Sequence, residues 1–144
     1  MNLAHLLTRA SRVWPDSRAI CSGREMHATY RQFAERAARI GGSLRNEYSL
    51  QQGDRVGIIM AHRPEYLEAL YGIWVAGLVA VPINAKLHER EFAYILGDSG
   101  AGVCFVSQEL AASISRSINT IVTGSPPWMS MQDARPIEVV KVDQ

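Results

Sequence analysis

The sequence predicts an α/β protein with a mostly parallel sheet and helices on both of its faces. Short apolar runs alternate with amphipathic segments along the chain, which is the pattern of strand–helix–strand units. Right-handed crossovers between parallel strands place helices on both sides of a sheet. The 144 residues are 47% hydrophobic and 20% charged, as in an ordinary globular domain with one core.

The N-terminal part of the chain predicts a helix, a two-stranded hairpin and a second helix. Asn2 is a candidate N-cap for the first helix, which ends before Pro15. Short strands are expected at 19–21 and around 27–28, with a turn at 22–25. Thr29 and Gln32 have the spacing of a capping box at the start of the second helix. The apolar positions at helical spacing are Leu3, Leu6, Leu7, Ala10 and Trp14 in the first helix and Phe33, Ala37, Ile40, Gly41 and Leu44 in the second.

The middle of the chain repeats a strand–helix unit. The apolar runs at 55–60, 78–83, 103–106 and 120–122 are interpreted as buried strands. A helix is expected to begin at Pro64 and to stop at Gly77, with a second helix at 89–96 and a weaker one at 108–117. The residues at 124–136 are predicted to be a loop before a final strand at 137–142. The apolar face of the helix that begins at Pro64 is expected to be Leu67, Leu70, Tyr71 and Trp74.

Composition excludes several classes of function. The net charge is +1 and there is no basic run, so nucleic acid is not an expected partner. No apolar run has the length of a membrane span, and the four histidines have no metal-ligand spacing. Cys21 and Cys104 form no CxxC pair, which favours a reduced chain in the cytoplasm.

The sequence contains no common nucleotide-binding loop. Neither lysine follows a glycine as a phosphate-binding loop requires, and no GxGxxG joins a strand to a helix. The glycine cluster at 97–102 is interpreted as a helix C-cap, and Ser99 within it has the wrong structural context for a nucleophile. Four carboxylates near helix starts are expected to face solvent and to complement the helix dipole: Glu65, Glu68, Glu89 and Glu91. The residues alone therefore indicate an α/β domain with no catalytic residue of its own.

The order of the segments from Leu3 to Val122 resembles the N-terminal part of the adenylate-forming (AMP-binding) enzymes. The NLAHLL stretch at 2–7 resembles their opening helix, and HATYRQF at 27–33 resembles an early LTYxEL motif, although His27 and Ala28 depart from it. GDRV at 53–56 with PEY at 64–66 resembles a strand-to-helix unit, and AGLVAVPIN at 76–84 resembles an AGxxxVPxN motif. The stretch at 91–101 resembles the segment that follows. The residues at 71–74 and 81–87 are similar to those of the acyl-CoA synthetase, or fatty-acid–CoA ligase, branch.

The resemblance implies an N-terminal subdomain at 1–144 of a ligase that uses ATP, Mg²⁺ and CoA to make an acyl-adenylate and then a thioester. The Ser/Thr/Gly-rich ATP loop of such enzymes is missing from the sequence, so no catalytic residue, no metal site and no bound cofactor are expected here. Lys86 is the one position carried over, as a contact to the phosphates of CoA, and an ordinary loop lysine stays open as the alternative. The expected partners are the remainder of the ligase chain and, through surface exposed by its absence, a second copy. Two alternatives remain: a non-catalytic binding or self-association module, and a dinucleotide-binding domain.

Overall fold

The computed structural model describes residues 1–142 and confirms the α/β architecture. Five α-helices, six strands and a short 3₁₀-helix follow one another along these residues. In chain order they are α1 (Ala4–Val13), β1 (Arg18–Ser22), β2 (Glu25–Thr29), α2 (Tyr30–Asn46), β3 (Arg55–Ile59), α3 (Pro64–Val75), β4 (Val79–Pro82), α4 (Glu89–Ser99), β5 (Val103–Val106), the 3₁₀-helix (Gln108–Ser113), β6 (Asn119–Val122) and α5 (Pro126–Gln132).

The main sheet has four parallel strands in the order β4-β3-β5-β6. β4 lies on one side of β3 and β5 lies on the other, so the connection from β4 to β5 crosses over β3. β1 and β2 form a separate antiparallel hairpin. Because the crossover direction reverses between β3 and β5, the connecting helices α3 and α4 lie on opposite faces of the sheet.

Each strand divides its side chains between two apolar cores. Ile58 and Phe105 face the core formed with α2, α3 and α5. Ile59, Cys104 and Val106 face the other core, which α4 covers. Burial raises the pKa of the Cys104 thiol to about 12, so this cysteine is a packed apolar group rather than a nucleophile.

The caps of α1 and α2 explain where these helices begin. The predicted capping box is confirmed: the Gln32 N–H donates to Thr29 Oγ1 at 3.3 Å and the Thr29 N–H donates to Gln32 Oε1 at 2.9 Å. At α1 the N-cap position is Leu3, but the Asn2 side chain accepts the Ala4 N–H at 2.9 Å. The Asn2 amide also donates to the Val140 carbonyl at 3.0 Å, so it ties both ends of the described chain together.

The loop predicted at 124–136 is wrong, because this segment contains α5. The Ser125 hydroxyl accepts the Trp128 N–H, and two prolines occupy the first turn, where their missing N–H groups cost nothing. Trp128 and Met131 are buried against the sheet, and Trp128 lies edge-to-face with Phe105 at 5.8 Å between ring centroids. Pro126 and Pro127, which suggested a loop, instead occupy the first turn of α5.

The final strand predicted at 137–142 is also wrong. The Ile137 N–H donates to the Ala38 carbonyl of α2 at 3.2 Å, and the Val140 N–H donates to the Val75 carbonyl of α3 at 2.8 Å. The segment is extended, but its hydrogen bonds go to the backbones of two helices instead of a strand. Its alternating apolar side chains match a strand pattern because one side packs on these helices.

Three further expectations are corrected. The helix expected at 108–117 is a 3₁₀-helix that ends at Ser113. The strand expected to be buried, β4, is an edge strand whose Val79 is 46% exposed. On α3 the buried residues are Glu68, Ala69, Gly72, Ile73 and Val75, while Leu67 is exposed. Gly72 lets α3 approach α2 closely. None of the described helices is long and apolar enough to cross a membrane.

Candidate functional site

The candidate site is a crevice at the carboxyl ends of β3, β4 and β5. In open parallel sheets, ligands bind outside the carboxyl ends of the strands, where the chain reverses its crossover direction. The crevice has a volume of about 840 Å³. It is lined by Met60, Ala61, His62, Tyr66, Pro82, Ile83, Asn84, Ala85, Lys86, Glu109 and Leu110.

Lys86 lies on the loop that follows β4, and a local turn presents it to the crevice. The Asn84 side-chain oxygen accepts the Lys86 N–H at 2.9 Å, and the Asn84 carbonyl accepts the Leu87 N–H at 3.2 Å. Asparagine favours such turns because its side chain replaces a backbone acceptor. The ammonium group is therefore an exposed cation on a fixed turn at the rim of the crevice.

Arg63 connects the loops that follow three different strands. Its Nη1 donates to Thr123 Oγ1 at 3.1 Å and lies 3.8 Å from Glu109 Oε2. Its Nε lies 3.7 Å from Glu65 Oε2, within the first turn of α3. Two carboxylates thus lie near the Arg63 guanidinium, and Arg63, which is outside the crevice lining, links the segments that follow β3, β5 and β6.

The remaining walls of the crevice combine apolar side chains with one carboxylate, that of Glu109. Tyr66 is half-buried, and its burial raises the pKa of the phenol. Glu109 is exposed at the rim. Its own backbone N–H is the main cause that lowers the pKa of its carboxyl, and the Arg63 guanidinium adds to this effect. Glu109 and Lys86 thus bring one acidic and one basic side chain to the crevice lining.

Glu68 does not face solvent as predicted but is a buried carboxylate, 3% exposed. Its Oε1 accepts from Arg36 Nη1 of α2 at 2.8 Å and lies 2.9 Å from His27 Nε2 of β2. Position 68 falls on the face of α3 that packs against α2, and the sequence pattern gave no sign of it. The cluster of these three side chains connects the hairpin to both helices and lies outside the crevice lining.

The other carboxylates and Ser99 have structural roles. The Glu91 side chain accepts the His88 N–H at 2.9 Å in a capping box at the start of α4. At the other end of α4, the Ser99 hydroxyl donates to the Leu96 carbonyl at 3.2 Å, and Gly100 is in the left-handed conformation with φ +68°. This confirms the C-cap interpretation of the glycine cluster. Among residues 1–142, no group of three histidine, cysteine or acidic side chains is placed to hold a metal ion.

Lys86, which the resemblance singled out, lines the crevice. Neither Glu109 of the lining nor Arg63 and Thr123, which lie outside the lining and are hydrogen-bonded to each other, were singled out in the sequence. These three come from segments far apart in the chain, and each lacks a motif of its own. The only signal available was positional: each follows a predicted parallel strand, and such positions meet at one edge of the sheet.

The sequence of the chain matches a known protein family. A family model described as "AMP-binding enzyme" matches residues 7–140. The long-chain-fatty-acid–CoA ligase of Haemophilus influenzae is 33% identical over 117 residues, which cover 81% of this chain and 21% of the relative. A feruloyl-CoA synthase of an Amycolatopsis species is 35% identical over 107 residues, covering 74% of this chain and 21% of the relative. The chain thus spans about a fifth of the length of these curated relatives.

Solved structures show the same fold. A benzoate CoA ligase from Burkholderia xenovorans LB400 superposes with a TM-score of 0.88 at 24% identity, over 99% of this chain and 31% of that one. The N-terminal domain of FACL13 from Mycobacterium tuberculosis superposes with a TM-score of 0.83 at 25% identity, over 96% of this chain and 38% of that one.

Proposed function

The chain belongs to the AMP-binding enzyme family, and from this premise we propose that it is the N-terminal part of an ATP-dependent acyl-CoA synthetase. Such an enzyme joins a carboxylate to ATP, releases pyrophosphate, and transfers the acyl group from the adenylate to the thiol of CoA. The proposal is carried by the family match over residues 7–140. The crevice at the carboxyl ends of the strands, with the Lys86 side chain in its lining, supports it.

Within this proposal the crevice receives phosphates of CoA at Lys86. The ammonium is exposed on a turn that Asn84 fixes, and lysine binds phosphate as a point charge. Arg63 lies outside the crevice lining, with Glu65 and Glu109 near its guanidinium. The apolar walls around Tyr66 suit the less polar parts of such a ligand.

We propose that ATP and Mg²⁺ bind mainly to parts of the ligase other than residues 1–142. No group of three histidine, cysteine or acidic side chains among these residues is placed to hold a metal ion. The sequence also lacks the Ser/Thr/Gly-rich ATP loop of the enzymes that it resembles. We therefore place the adenylation chemistry in parts of the ligase beyond these residues.

The 144-residue chain is expected to catalyse no ATP–pyrophosphate exchange with fatty or aromatic acids. Electrostatic stabilisation of the departing pyrophosphate needs cationic groups, and the sequence lacks the lysine-bearing ATP loop that the resemblance connects with them. Exchange of labelled pyrophosphate into ATP measures this directly, with an intact CoA ligase as positive control. Exchange above the no-enzyme background, and proportional to the amount of chain, would contradict the proposal.

In the ligase that contains this chain, Lys86→Ala is expected to raise the KM for CoA about tenfold, because one charge-assisted hydrogen bond to phosphate is lost. The rate of pyrophosphate exchange, which precedes CoA binding, is expected to stay unchanged. Lys141→Ala is the matched control, since the chain has only these two lysines and Lys141 lies outside the crevice. Equal KM values for both variants would assign Lys86 to an ordinary surface loop.

A further inference from the structure

The segment at 134–141, here called the strap, lies across α2 and α3. The Ile137 N–H donates to a carbonyl of α2, and the Val140 N–H donates to the Val75 carbonyl of α3 at 2.8 Å. The approach of the strap to the end of α3 is close, because a Cβ atom at Gly77 would lie 2.8 Å from Val140 Cγ1. Backbone hydrogen bonds to two helices therefore hold the strap in place.

Asn2 joins the strap to α1 and to the end of α3. Its side-chain oxygen accepts the Ala4 N–H at 2.9 Å, in the first turn of α1. Its amide nitrogen donates to the Val140 carbonyl at 3.0 Å and to the Trp74 carbonyl of α3. An asparagine side chain carries one acceptor oxygen and two N–H donors, so a single amide makes all three bonds. Asn2 is 6% exposed, and any further part of the ligase leaves it buried.

We propose that Asn2 is a latch that makes α1 and the strap open and close as one unit. The last carbonyls of a helix have no partner within that helix. At the end of α3, the Trp74 carbonyl receives the Asn2 amide and the Val75 carbonyl receives the Val140 N–H. If α1 or the strap left alone, polar groups that stay buried would lose their bonds, which is costly. When both leave together, the same groups reach water.

Apolar packing is the competing explanation for such coupling. Leu7 of α1 and Val75 of α3 belong to one buried cluster, and Val139 of the strap packs against that cluster. A test of the latch must therefore separate the hydrogen bonds of Asn2 from this packing. The inference depends neither on the crevice nor on the proposed function.

The test is amide hydrogen exchange in the 144-residue chain, because it measures local opening residue by residue. Arg9→Ala and Arg9→Gly both remove one exposed side chain of α1, and they differ in helix propensity alone. Amides of α1 are expected to exchange about fivefold faster in Arg9→Gly than in Arg9→Ala. The Val140 amide of the strap is expected to accelerate by the same factor, while the amides of β3 keep their rates.

The second arm repeats this comparison in an Asn2→Ser background. A serine hydroxyl still accepts the Ala4 N–H as an N-cap, but it has no amide to donate to the strap and to α3. The two variants at Arg9 are expected to differ about fivefold in the exchange of α1, as before. At Val140 they are expected to show equal rates, because the latch is gone.

Three results would overturn the proposal. With Asn2 in place, equal Val140 rates in Arg9→Ala and Arg9→Gly would show that α1 opens without the strap. An equal acceleration in β3 would show that only the whole chain opens. An acceleration at Val140 that persists with Asn2→Ser would assign the coupling to the apolar packing around Val75.

Discussion

Gly72→Ala is expected to lower the free energy of unfolding by about 3 kcal/mol, near the upper end of the cost of overpacking a core. A Cβ atom at this position would lie 2.4 Å from Ile40 Cγ2 and 2.7 Å from Ile40 Cβ. Ile40 is fully buried in the contact between α2 and α3, so it cannot turn away. The two helices would have to separate, and the higher helix propensity of alanine, about 1 kcal/mol, offsets only part of that cost.

The control is Gly97→Ala, a second glycine within a helix. A Cβ at Gly97 meets no atom within 4 Å, so here the helix propensity of alanine acts alone. We expect a gain of about 0.5–1 kcal/mol. Urea titration of both variants measures the two opposite changes in the free energy of unfolding. Changes of the same sign would show that α2 and α3 have room to adjust.

The contrast between these glycines shows what the sequence could and could not predict. The order of strands and helices followed from alternation and caps: Thr29 with Gln32 opens α2, and Pro64 opens α3. Which face of α3 is buried did not follow, because hydrophobicity favoured Leu67 while the close approach of α2 favours Gly72. Periodicity reports how apolar a face is but not how near its neighbour comes.

The same limit applies at the C-terminal end and in the site. The segment at 137–142 alternates like a strand, yet its amides bond to the carbonyls of α2 and α3, a partner that no local pattern reveals. Lys86 was singled out because a motif surrounds it, and its role stays a prediction. Arg63 and Glu109 were not singled out, because they come together only where the segments that follow three strands meet.

The second prediction with a large effect concerns the buried carboxylate of Glu68. Arg36→Met is expected to destabilise the chain by about 3 kcal/mol, the lower end of the range for a buried ion pair that loses one partner, because the Arg36 side chain is itself 34% exposed. Glu68 is 3% exposed, so its charge cannot recover hydration when the 2.8 Å contact to Arg36 is lost. His27, 28% exposed and 2.9 Å away, stays as the remaining partner and places the expected value at the lower end of the range.

Two further variants separate the ion pair from the packing of the arginine stem. The double variant Arg36→Met with Glu68→Met is expected to recover most of the lost stability, since no charge is then buried without a partner. Arg31→Met, also on α2, removes an exposed pair with Asp16 and is expected to change stability little. Urea titration of the wild type, Arg36→Met, Glu68→Met and the double variant provides the cycle, and Arg31→Met is measured beside them. If the double variant were as unstable as Arg36→Met alone, the cost would come from lost packing of the arginine stem, and the buried charge of Glu68 would not be its cause.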